Sequence, residues 1–368
     1  FRSAFPTDSA QTYCSKFSRD AELAIDTGIT QSLIDKMALG LKKRRKADTV
    51  RMVYDGKMPQ RLLDQLCSQF GFGKYDSLIA GGRYHNSKDF MDFPNFGPRY
   101  LEFKPQPGIR IKRLDERVSI FDSVRDKDIF LYYPYHPFDY AIDLLKTAAL
   151  DPQVTKIKIC LYRVARDSRV IDALVNAVQN GKKVLAVVEL AARFDEQANI
   201  NWAQRLTENG IDVIFGIPGL KVHSKLLLIE RKDGNALRYY SHIGTGNFNE
   251  KTARQYTDFS LITYDQTIGK DIYDVFEFLQ YNYQRPNYRL LLVAPHTARS
   301  GLLELIEAEI ANARAGYRAS MTLKCNNLVD KELVLKLYEA SQSGVEIRII
   351  VRGMCSLLPG LKDISENI

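Results

Sequence analysis

Residues 156–190 read KIKICLYRVARDSRVIDALVNAVQNGKKVLAVVEL. An apolar run, a polar loop, apolar positions at helical spacing, a glycine turn and a second apolar run make one strand–helix–strand unit. DIFLYYPY and FDYAIDLLKTAAL precede it; NINWAQRLTENG, IDVIFG and KVHSKLLLIE follow. Such alternation implies βαβ units about a largely parallel sheet with both faces covered, and VLAVVEL and KLLLI fit because buried parallel strands are apolar on both sides. Residues 320–353, SMTLKCNNLVDKELVLKLYEASQSGVEIRIIVRG, repeat the layout with Gly344 falling on Gly181. Two similar lobes are therefore expected, the second incomplete because nothing matching KVHSKLLLIE follows it.

The region before the alternation reads differently. Residues 15–46 carry apolar positions at helical spacing, residues 58–72 (MPQRLLDQLCSQFGF) predict a short helix, and residues 81–98 are rich in glycine and proline. An α+β accessory domain is expected there. The basic run KKRRK at 42–46 could hold a polyanion, but a solvated helix end accounts for such a cluster, and it is given no site role.

Composition narrows the classes. A chain of 368 residues allows two or three domains, and 45% hydrophobic with 26% charged residues is ordinary for a soluble globular protein. No apolar run approaches the roughly 18 residues of a membrane span. The five cysteines are scattered without metal-site spacing and read as reduced thiols of a cytosolic protein. A net charge of +8 favours an anionic partner: nucleic acid, a phosphorylated small molecule or an anionic membrane surface. The start FRSAFPTDSA without methionine and the abrupt end SENI predict a piece of a longer chain.

Residues 221–230, KVHSKLLLIE, hold the chemistry. In an extended strand His223 and Lys225 share a face. Neutral imidazole is a nucleophile, and an ammonium beside it depresses its pKa and attracts an anion. The plain alternative is a hydrogen-bonded histidine at a strand entrance. Further on, Gly244, Thr245, Gly246 and Asn247 form a turn whose backbone N–H groups can cradle phosphate oxygens, with Thr245, Asn247 and Asn249 adding neutral bonds. Alone, such a turn is more often structural. Arg163, Arg193 and Arg352 each follow a strand, where the carboxyl ends of strands line α/β sites, and guanidinium grips phosphate with two parallel bonds. One such arginine would be a surface ion-pair partner; three favour a polyanion. Tyr256 and Asp258 could frame a base or ribose or sit in the core, and His242 is an acid/base candidate. His85, His136 and His296 have weaker claims. No GxxxxGK[ST] loop and no kinase glycine loop is present.

The order His-x-Lys, Glu230, then Gly-Thr-Gly-Asn resembles the HxK signature of the phospholipase D superfamily, in which two halves face each other and one histidine forms a phosphoenzyme; Glu230 stands where aspartate is usual. More specifically, residues 161–229, HIGTGNFNEKTARQYTDFSL, LKCNNLVDKELV, VRGMCSLLPGL, GGRYHNSKDF and LYYPYHPFD resemble the long, phosphohistidine type of bacterial polyphosphate kinase over nearly the whole chain. That resemblance implies an α/β fold with two phospholipase D-like βα lobes, the second incomplete, preceded by an α+β head domain: 1–112 head, 113–290 first lobe, 291–368 second. It implies reversible transfer of the terminal phosphate of ATP to inorganic polyphosphate, His223 as phosphohistidine, Arg163 and Arg193 holding the phosphates that carry Mg²⁺, and Tyr256 and Arg352 as nucleotide contacts. Lys225, His242 and Asn247 complete the expected catalytic set. Its partners would be ATP or ADP and polyphosphate, without nucleic acid, in a cytoplasmic homo-oligomer peripheral to the inner membrane. A second-lobe histidine is implied beyond Ile368. A phospholipase D-like phosphodiesterase cutting nucleic acid or lipid, and a non-catalytic polyanion-binding module, are the alternatives.

Overall fold

The computed structural model describes residues 10–19, 47–87, 90, 93–104, 106–116, 119–165, 167–189, 196–217, 219–283 and 285–368. Strands β1 (Ser15–Arg19), β2 (Thr49–Asp55) and β3 (Ser77–Gly81) form a small sheet with β2 central, β1 antiparallel to it and β3 parallel. Helix α1 (Gln60–Phe70) matches the short helix expected there, and Met52, Met58 and Leu63 form the core beneath it. The helical reading of residues 15–46 fails at its start. In SKFSR the one large apolar side chain, Phe17, pairs with Met52 across the ladder and packs 4.3 Å from Phe70, so alternation rather than helical spacing governs the segment. The remainder of that stretch, the basic run included, lies outside the described residues.

After two short helices, α2 (Lys112–Asp115) and α3 (Ile120–Asp126), comes the main unit. It comprises β4 (Ile129–Tyr132), α4 (Asp139–Leu150), β5 (Val154–Leu161), α5 (Arg169–Gln179), β6 (Lys183–Val188), α6 (Glu196–Glu208), β7 (Asp212–Phe215), β8 (Leu226–Asp233), β9 (Ala236–Gly244), β10 (Phe259–Thr263) and α7 (Gln266–Gln280). The seven strands form one sheet in the order β4-β10-β9-β8-β5-β6-β7. Only β5-β6-β7 are parallel; every other neighbouring pair is antiparallel, so the sheet is mixed, not largely parallel. The cause is local. Asp233 pairs with Ala236 across a two-residue loop in which Gly234 adopts φ 63°, and a connection that tight can join only antiparallel strands.

Strand β8 is buried on both faces. Leu227 and Ile229 enter the core under α4, α5 and α6, whereas Leu226 and Leu228 enter a second core capped by Ile272, Val275 and Phe276 of α7. Helix α7 lies so close to β9 that a Cβ on Gly269 would come 2.4 Å from Tyr239 Cβ. On the same face Lys158 of β5, 1% exposed, donates to Glu277 of α7 at 2.9 Å and sits 4.2 Å from the Tyr273 ring.

A third unit contains α8 (Ala298–Arg314), β11 (Ser320–Cys325), α9 (Lys331–Gln342) and β12 (Glu346–Val351), packed around Ile310, Leu337, Val345 and Ile347. Strands β11 and β12 pair in parallel, as β5 and β6 do. Gly181 and Gly344, matched in the repeat, both take left-handed φ after their helices, at 76° and 93°. The repeat read from the sequence is thus a repeat of structure. All five cysteines are free thiols.

Removing Glu277 would strand the Lys158 charge in the interior. Glu277→Ala should cost about 3–5 kcal/mol in chemical denaturation, and Lys158→Met combined with Glu277→Leu much less. Equal losses in the two variants would show that the ion pair is not what holds α7 to the sheet.

Candidate functional site

Strand direction gathers the site. Because β8 runs antiparallel to β5, the start of β8 lies beside the end of β5, and the ends of β4, β6 and β9 and the start of β10 reach the same sheet edge. His223 and Lys225 come just before β8, whose first paired residue is Leu226, not within a strand as expected. They are presented unequally. His223 is exposed and Lys225 is only 5% exposed, its ammonium donating to the His223 carbonyl.

The centre of the cluster is Tyr162, directly after β5. Its ring lies edge-on to His223 at 4.7 Å, with Lys225 Nζ at 4.9 Å, Lys221 Nζ at 5.3 Å and the Arg163 guanidinium at 5.5 Å. An aromatic face carries negative charge density and lets cations gather where they would otherwise repel. Burial, then Lys225, Lys221 and Arg163, hold the His223 pKa below its usual value. Burial likewise pushes Lys225 down to about 8, against Cys160 and Asp258, which favour its charged form. The result is a neutral, exposed imidazole inside a field suited to an anion.

The Gly-Thr-Gly-Asn turn stands next to it. Gly244 closes β9, and its N–H donates to the Lys225 carbonyl at 2.9 Å. Thr245 Oγ1 donates to Asp258 Oδ1 at 2.8 Å, and a Cβ on Gly246 would lie 2.5 Å from the other carboxylate oxygen, which is why glycine stands there. Asn247 Oδ1 is buried and has no hydrogen-bond partner among the described residues. Asn249, expected to reach an anion, instead accepts from Lys251 and Thr252 N–H groups and shapes the turn. His242 is 1% exposed, its Nε2 lies 2.8 Å from Ser260 Oγ, and burial drives its pKa down to about 4. It is a neutral group behind the turn.

The other expected residues fall elsewhere. Tyr256 is 57% exposed and not part of the Tyr162 cluster. Arg352 follows β12 on the separate two-stranded sheet, its N–H donating to the Cys325 carbonyl. Arg193 lies outside the described residues. Glu230 is inside β8, paired with Tyr239 and Lys156 and buried, about 16 Å along the strand from Lys225 at 3.3 Å per residue, and so takes no part in the cluster. Tyr162 and Lys221 escaped the sequence reading as site residues, although Tyr162 adjoins Arg163 and Lys221 lies two residues before His223. An apolar cavity of about 510 Å³, walled by Val222, Leu226, Val275, Phe278 and Leu291, flanks His223.

Fold and site together define an α/β protein in which an exposed histidine and three cationic side chains gather about one tyrosine at a sheet edge. Family models described as polyphosphate kinase middle domain, C-terminal domain 1 and C-terminal domain 2 match residues 3–93, 119–285 and 291–368. The chain belongs to the polyphosphate kinase family. It is 50% identical over 368 residues to the polyphosphate kinase of Vibrio parahaemolyticus, covering all of this chain and 53% of that protein. Against the Escherichia coli polyphosphate kinase the identity is 50% over 370 residues, with 54% of that protein covered. A crystal structure of polyphosphate kinase from Porphyromonas gingivalis superposes with a TM-score of 0.72 at 39% identity, over 86% of this chain and 51% of that one. The chain thus spans about half the length of these relatives.

The buried His242 gives a pH signature. An unfolded imidazole titrates near 6.5 and the folded one near about 4, so the folded chain binds fewer protons between these values. Stability should be full above about pH 6.5 and fall on acidification toward 4, by on the order of 3 kcal/mol. His242→Gln should flatten that part of the profile in urea melts, and an unchanged slope would contradict the buried, neutral assignment.

Proposed function

We propose that the full-length protein transfers the terminal phosphate of ATP reversibly to inorganic polyphosphate, through His223. The observation that carries this reading is the neutral, exposed His223 imidazole beside Tyr162 with Lys221, Lys225 and Arg163 around it. Its lone pair attacks the terminal phosphorus, an N–P bond forms, the bridging P–O bond breaks and ADP leaves. The terminal oxygen of a polyphosphate chain then attacks the same phosphorus and the N–P bond breaks, which lengthens the chain by one phosphate and frees the imidazole. Positioning and charge neutralisation dominate such transfers.

Arg163 and Arg193 hold phosphate oxygens in this scheme. Guanidinium cannot ligate a cation, so Mg²⁺ enters as part of the nucleotide substrate, on its phosphates. Lys225, pushed down to about 8 and still mostly protonated at neutral pH, steadies the transferred group, Asn247 donates from its amide nitrogen to a phosphate oxygen, and His242 supports the turn from behind. Tyr256 and Arg352 contact the nucleotide in the closed, complete enzyme. Residues 1–112 serve as the head and 113–290 and 291–368 as the two lobes, in a cytoplasmic homo-oligomer that associates peripherally with the inner membrane. Among the described residues, no helix is long and apolar enough to cross a membrane.

In the full-length protein, His223→Ala should abolish label uptake from γ-labelled ATP together with chain synthesis, and an acid-labile phosphoenzyme that persists would refute the assignment. Arg163→Ala should lower kcat/KM by on the order of 3 kcal/mol, roughly 100-fold, with an unchanged melting temperature. Phosphoryl or phosphatidyl transfer to water from DNA or phosphatidylcholine, without polyphosphate synthesis, would favour phosphodiester cleavage instead.

A further inference from the structure

The loop that delivers His223 is held by a buried pair of polar side chains that no expected site residue includes. Asn199, on α6 and 2% exposed, donates from Nδ2 to two carbonyls at 2.8 Å each, those of Tyr162 and Glu189. These are the residues directly after β5 and β6, and the Glu189 N–H itself donates to the Leu161 carbonyl at 3.1 Å. One carboxamide therefore ties two strand ends together just where they stop pairing. From that anchored position the Glu189 side chain, in a residue 6% exposed, turns to the β7–β8 loop and accepts from the Val222 N–H at 2.7 Å. Val222 is buried, and the next residue is His223.

We propose that Glu189, anchored by Asn199, is the positioning residue for His223. It fixes the backbone immediately before the imidazole, while Asn199 fixes the backbone of Tyr162, whose ring forms the wall 4.7 Å from that imidazole. Both references for the nucleophile thus come from one buried network. Loop backbone is otherwise the least restrained part of a fold, and a reacting group displaced by about 1 Å loses on the order of 100-fold in rate. A buried carboxylate accepting a backbone N–H is a strong restraint, because leaving either group unpaired carries the full desolvation cost.

This inference rests on the phosphotransfer reading, and its test separates the two. In the full-length protein, Glu189→Gln keeps an acceptor oxygen on a side chain of the same shape, and Glu189→Ala removes it. The Ala variant should lose about 100-fold in kcat with KM for ATP changed less than about threefold, and the Gln variant should stay within about threefold of the parent in both. Glu189→Asp, which withdraws the oxygen by one methylene, should fall between them and serves if the Ala variant does not fold. Carbethoxylation of His223 by diethyl pyrocarbonate, followed by peptide mass, reads the same placement without the reaction: its rate should change several-fold in Ala or Asp and not in Gln. Parental kcat in a folded Ala or Asp variant, or a Gln variant as impaired as Ala, would overturn the positioning role. A parent protein that never carries phosphate on His223 would overturn the phosphotransfer reading, and the carbethoxylation rates would still decide on Glu189.

Discussion

Antiparallel pairing of β8 against β5 is the constraint from which the site follows. Ile159 pairs with Leu227 in that ladder, so the residues leaving β5 and those entering β8 meet at one sheet edge. Had β8 been parallel to β5, His223 would stand at the opposite edge from Tyr162 and Arg163. The hairpin at Gly234 then returns the chain, and β9 brings Gly244 back to Lys225. Two turns and one strand direction thus place residues from four stretches within a few ångströms.

The pairing is secured by burial. Leu226 to Ile229 fill two cores at once, and at roughly 1.5–3 kcal/mol per buried aliphatic side chain a one-residue slip of β8 would exchange both sets. That stability tolerates the costs at the edge. Two lysines and an arginine gathered about one tyrosine repel each other, and the lowered pKa values of His223 and Lys225 come first from burial and then from those neighbouring cations. The Tyr162 ring offsets part of it, and an incoming polyanion would offset the rest.

Much of this was legible in the chain. The strand–helix–strand unit of residues 156–190, its repeat at 320–353 and the helix of residues 60–70 followed from hydrophobic periodicity, because those elements bury one stripe or two faces against a core. Residues 15–19 misled because five residues with a single large apolar side chain carry too little pattern to separate a strand from a helix. The sheet's mixed character was written in Asp233-Gly234 but overshadowed by the surrounding alternation.

Residue chemistry by itself determined that His223, Lys225, Arg163 and the Gly-Thr-Gly-Asn turn were the places to look, since nucleophile, cation and exposed amide are properties of residue type and neighbours along the chain. Tertiary structure decided which of them meet. Tyr162 became the centre, Lys221 joined, His242 and Asn249 turned to structural bonds, and Glu189 and Asn199 emerged as the frame. Except for Asn249, whose bonds to Lys251 and Thr252 are local, these outcomes depend on strand direction and on contacts between residues far apart in the chain, such as Asn199 to Glu189 and to Tyr162, 10 and 37 positions away, and no local pattern encodes distance across a sheet.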